Sequence, residues 1–142
     1  MKAKPVLVGF FCVVVLIGVA SAYLASTVDR AEKTVVAVAA PGGKYKAVRV
    51  AFSNGGEMPF CFDTISVFLT VYPDSFAVSD KSYEIYGAPC ATPDRRAALP
   101  KMEWLSDKAL RVTYAPGHDR QTPRLKTHDA SRFVDVTFVK AE

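Results

Sequence analysis

Gly42, Gly43 and Lys44 stand together in "PGGKYKAVRV", and two glycines followed by a lysine are ingredients of a phosphate-binding loop. Such a loop works because successive backbone N–H groups cradle phosphate oxygens, the lysine adds charge, and a helix N-terminus follows. Here Lys44 precedes Tyr45 rather than serine or threonine, and the residues beyond alternate as a strand does. The stretch reads as a turn that launches a strand, with Lys44 and Lys46 solvated. His118 and His128 each precede an aspartate, which invites a metal or acid–base assignment. They lie ten residues apart in a polar loop, with no third ligand at a telling spacing, so they read as solvated loop histidines. No serine sits in a GxSxG elbow, and no CxxC pair suggests a metal. The expectation is a protein without catalytic machinery, cofactor or metal.

Cys61 and Cys90 are the remaining chemistry. In an oxidising compartment they can form one disulfide, closing a loop of about 30 residues and contributing on the order of 3 kcal/mol. Two separate buried thiols are the alternative, and a Cys61 nucleophile paired with a histidine is a further one. Phe60, Phe62, Phe68, Tyr72, Tyr83 and Tyr86 read as sheet-face packing, with a binding groove as the alternative. Arg95 and Arg96, beside Asp94 in "TPDRRAALP", form a basic loop tip. That tip is the candidate interaction surface for anionic partners or lipid headgroups, against the plainer reading of a surface loop.

These residues need a scaffold, and the chain of 142 residues divides to supply one. Lys2 and Lys4 precede a run from Pro5 to Val28 without a charged residue. About 20 apolar residues suffice to cross a bilayer as a helix, and the flanking lysines favour a cytoplasmic N-terminus. Residues 1–28 therefore read as a signal-anchor, residues 29–33 as a short linker and residues 34–142 as an exported domain. Cleavage near Ala22, after the small residues of "ASA", would instead release the domain into the periplasm. Cys12 lies inside the apolar run and reads as inert. Lys2 and Lys4 supply two of the four net positive charges, too weak a balance to imply nucleic acid.

Beyond Thr34 the text is strand-like. "TVVAVAA", "KYKAVRVAFS", "FCFDTISVFLTVY", "KSYEIYGA", the pair in "KMEWLSDKALRVTYA" and "RFVDVTFVKA" are β-branched or alternating, with Gly, Pro, Asn and Asp between them. In the third, Ile65, Val67, Leu69 and Val71 share one face while Phe62, Phe68 and Tyr72 share the other, so both faces call for cover. "PDSFAVSD" reads as a loop with at most one helical turn, and "PGHDRQTPRLKTHDAS" as a long polar loop. The sum is a mainly β domain of about seven antiparallel strands, a sandwich or one curled sheet, with consecutive strands in a meander.

"APGGKYKAVRVAF", "DTISVFL" and "EWLSDKALRVTYAPG" together resemble a group of small uncharacterised bacterial membrane-anchored proteins. These carry an SPDGKYKA-like turn and strand and a late W-x-S-x-x-L-x-V-x-Y strand pair. Ala40 and Gly42 stand where serine and aspartate are commoner. The resemblance implies an anchored, exported β domain and brings no catalytic residues. The expected role is an accessory or interaction module of the envelope, held at the inner membrane through residues 5–28 and meeting an envelope protein partner. A small exported ligand- or polymer-binding protein is the alternative, and a hydrolase a more distant one.

Overall fold

A computed structural model describes residues 32–54, 60–90, 99–115 and 122–141. The apolar run Pro5–Val28, the candidate cleavage site, Arg95, Arg96 and His118 lie outside the described residues. Among the described residues no helix is long and apolar enough to cross a membrane.

Four strands, β1 (Glu32–Ala39), β2 (Tyr45–Asn54), β3 (Phe60–Leu69) and β4 (Glu84–Pro89), pair in sequence order as an antiparallel meander. The first turn explains the two glycines without a ligand. Gly43 has a φ of 71°, which only glycine adopts freely, and its N–H donates to the Ala40 carbonyl. The Gly42 N–H donates to the Asp107 carboxylate, and a Cβ at Gly42 would lie 2.6 Å from that group. Lys46 departs from the expectation of a solvated side chain. It is only 12% exposed, bonded to Asp74 at 2.6 Å and set 5.4 Å from the centre of the Phe68 ring.

Both faces of β3 are covered, so Asp63 to Phe68 are all buried. On the outer face, the connection to β4 folds back through a short helix, α1 (Phe76–Ser79), and a 3-10 turn (Lys81–Tyr83). Phe76, Ala77, Val78 and Tyr83 pack there on Val48, Val50 and Phe68. The Phe68 ring meets those of Phe76 and Tyr83 edge-on at 5.5 and 6.2 Å. This departs from the strand text in two places. β3 ends at Leu69, leaving Val71 in a turn and 80% exposed, and Lys81–Tyr83 are not strand.

The inner face packs on a second sheet made of β5 (Lys101–Ser106), β6 (Ala109–Tyr114) and β8 (Asp135–Lys140). Ala47, Ile65, Val67 and Tyr86 from one side meet Leu110, Val112, Val134 and Val136 from the other. The expected all-antiparallel arrangement is corrected here: β8 runs parallel to β6. Between them the chain crosses to the first sheet, adds the two-residue strand β7 (Arg124–Leu125) beside β4, and returns. A strand reached by such a crossover enters in the same direction as its neighbour. β7, hidden in the polar loop, raises the count to eight strands among the described residues.

The crossover also stitches the two sheets along one side. Lys126 donates its N–H to the Ile85 carbonyl, Val136 donates to Thr127, and His128 bridges Asp135. The turn before β8 is built around buried Asp129, which accepts the N–H groups of Ser131 and Val134 and the Ser131 hydroxyl. That turn occupies Arg132 to Val134, so the last strand starts later than the alternation suggests.

Candidate interaction cleft

The inner face of the first sheet changes character along its length. Near the β1–β2 turn it carries Tyr45, Ala47, Ile65, Val67 and Leu69, beneath the second sheet. The same parity continues on β2 through Arg49, Ala51 and Ser53, and on β3 through Asp63 and Cys61. Arg49 marks the change. Its Nε donates to Asp63 Oδ1 at 2.9 Å, and its Nη2 donates to the Leu99 carbonyl at 2.8 Å, just before β5. The two side chains are only 9% and 3% exposed. A charge withdrawn from water this far requires a partner, and each supplies the other's. Burial pushes the Asp63 carboxyl above its ordinary range, outweighing the bond and charge of Arg49 that pull it down. Burial, reinforced by the Asp63 charge, pushes the Tyr86 hydroxyl up to about 12.

Beyond Arg49 the face opens into a groove of about 450 Å³. Glu32, Thr34 and Val36 of β1 form one wall, Ala51 and Ser53 the floor, and Cys61 the far side. The floor is low because its residues are small. Under the groove, the Cys61–Cys90 disulfide ties β3 to β4 with a Cα separation of 5.2 Å, and the Cys90 N–H donates to the Cys61 carbonyl. The expected pairing is thus present, and neither sulfur is a free nucleophile.

β1 borders this groove and, among the described residues, is an edge strand with one neighbour, β2. Ala40 donates its N–H to Tyr45, which sets the phase of the ladder. Even-numbered residues of β1 bond to β2, and the N–H and C=O groups of Lys33, Val35, Ala37 and Ala39 point outward. Among the described residues no strand pairs with that outward row. Trp104 of β5 donates its indole N–H to the Val38 carbonyl, and Asp107 holds Gly42, so the second sheet pins the C-terminal end of β1. The stretch Glu32–Ala37 is exposed, with Val35 and Val36 at 37% and 47%.

The aromatic candidates do not converge. Phe68, Tyr72 and Tyr83 join the outer cluster around Phe76, whereas Tyr86 packs in the inner core beside Tyr114 and Phe138. Phe60 and Phe62 lie on the outer face at the open end of the sheet. His128 Nδ1 lies 2.9 Å from Asp135 and serves the stitch between sheets. Sequence reasoning missed Arg49 and Asp63. A signal existed: each carries a charge at a parity otherwise given to core residues of its strand. No family model, curated protein or solved structure matches this chain.

Proposed function

We propose that the chain is an exported, membrane-tethered accessory module whose β domain takes up an extended segment of an envelope protein along β1. The observation that carries this reading is the outward row of Lys33, Val35, Ala37 and Ala39. An exposed apolar edge is a template for strand addition, and soluble domains usually blunt it with proline, inward charge or a bulge. β1 has eight residues with charges only at Glu32 and Lys33, and its register with β2 is unbroken. An added strand would place alternate side chains beside Thr34 and Val36, extending the wall of the groove.

Export is supported by the charge-free run Pro5–Val28 behind Lys2 and Lys4, and by a disulfide that oxidising compartments favour. The likeness to small bacterial anchored proteins points the same way. Arg95 and Arg96 follow Cys90 closely in sequence and are a secondary contact in this reading. In this role the chain performs no catalytic step and needs no cofactor or nucleic acid.

The test uses the full chain in native membranes with a photo-crosslinking residue at Val36. A discrete crosslinked protein is expected, and Val35→Pro, which removes one outward N–H, should abolish it. Crosslinks that survive Val35→Pro would reject strand addition. The groove volume, within the range typical of small-molecule sites, favours a second reading in which a ligand or polymer segment binds there. In that case Ala51→Leu should abolish binding while Val35→Pro leaves it intact.

A further inference from the structure

We infer that the open end of the outer face is a membrane-contact patch that rests on the lipid headgroups beside the anchor; the inference depends on the tether proposed above. One row of the sheet register runs Lys33, Phe52, Phe62, Pro89 across four strands. Phe60 lies one row further out, opposite Asn54, and is 50% exposed. Val35 adds a further exposed apolar side chain on the same face, paired to Val50. The α1 segment covers the other half of this face, around Phe68, and only Phe52 of the row reaches that cluster. Arg124 reaches in from β7, with its guanidinium 5.8 Å from the centre of the Phe62 ring. It is paired with Glu84 yet remains 63% exposed, while Lys33 stands at the patch edge.

Chain length selects a bilayer as the occupant. The apolar run ends at Val28 and β1 begins at Glu32. The four residue-to-residue steps from Val28 to Glu32 span at most roughly 14 Å when fully extended. Glu32, Asn54 and Phe60 are all at this end of the sheet, so a tether of that length holds the patch within reach of the headgroup layer. Aromatic rings and basic side chains are the groups that partition to that layer, the rings at the boundary and the cations on anionic headgroups.

The test places a single indole at the patch. Full-length chain carrying Trp104→Phe and Phe60→Trp is reconstituted into vesicles with brominated acyl chains, with and without anionic lipid. Tyr72→Trp in the same background is the comparison, because Tyr72 is beside the opposite end of the sheet, where Thr70 bonds to Lys44. Flotation of the vesicles reports the tether independently of the fluorescence. The expected result is strong quenching for Phe60→Trp and little for Tyr72→Trp. On anionic vesicles, Lys33→Gln should weaken the contact about fivefold, the effect of one basic residue at such a surface. Equal quenching at the two positions in a chain that floats overturns the patch and leaves the tether standing. A chain that does not float overturns the tether, and the patch falls with it. Should Trp104→Phe unfold the domain, the same two substitutions beside native Trp104 give the answer as a difference in quenching.

Discussion

Arg49 and Asp63 bridge the boundary between the covered and open halves of the inner face, and Arg49 also holds the Leu99 carbonyl at the entry to β5. Removing one buried charge strands the other, so Arg49→Met should cost about 3–5 kcal/mol in urea unfolding, whereas Arg49→Met with Asp63→Leu should recover most of it. The pH dependence has a definite sign. The folded protein protonates Asp63 more readily than the unfolded chain does, because burial raises its carboxyl. Stability relative to Asp63→Asn should therefore rise as pH falls through the raised value and level off below the ordinary 3.8. Unfolding curves of the two proteins across that window check it. At this scale the sequence was least legible. The parity of Arg49 and Asp63 hints that each is covered, but only the register, with Arg49 opposite Ile65 and Asp63 opposite Ala51, brings the two together.

Among the elements, β1 makes the sharpest prediction, because adjacent residues differ in where their N–H groups point. Val35→Pro removes an outward donor and should leave the fold intact by circular dichroism. Val36→Pro removes a bond to β2 and should cost roughly 3 kcal/mol or more. Equal effects at the two positions would show that the edge is not as described. The disulfide belongs to the same scale: replacing Cys61 and Cys90 by alanine should lower stability by on the order of 3 kcal/mol in thermal or urea unfolding. In the intact protein both thiols should resist labelling until a reductant is added. Strands were readable where β-branched or other apolar residues alternate between strong breakers, as in β2, β3, β5 and β6. They were not readable where pairing rather than side-chain pattern makes the strand. β7 is two polar-flanked residues held by β4, and the turn at Arg132–Val134 is held by one buried aspartate.

For the whole molecule, the proposed tether and the β domain must agree. Mass spectrometry of the protein from membranes should find residues preceding Tyr23; a mature start at Tyr23 would replace the anchor with a cleaved leader. The mainly β character of the domain was legible from composition and turn spacing alone. The cleft was not, since it depends on where the second sheet stops covering the first, a property of packing that no local pattern encodes.

The parallel pairing of β6 with β8 has a consequence for the growing chain. Synthesis from the N-terminal side delivers the meander early, and its neighbouring strands can pair as they emerge. The second sheet is different, because β8 joins β6 only after the excursion through β7. Val134 and Val136 complete the cover over Leu110 and Val112, so the inner core stays unsealed until β8 is available. Long-range pairings of this kind form slowly. The interval between emergence of β6 and arrival of β8 is therefore when the nascent domain is most open to chaperones and proteases. A chain stalled before Asp135 should be degraded, whereas one stalled after Lys140 should survive.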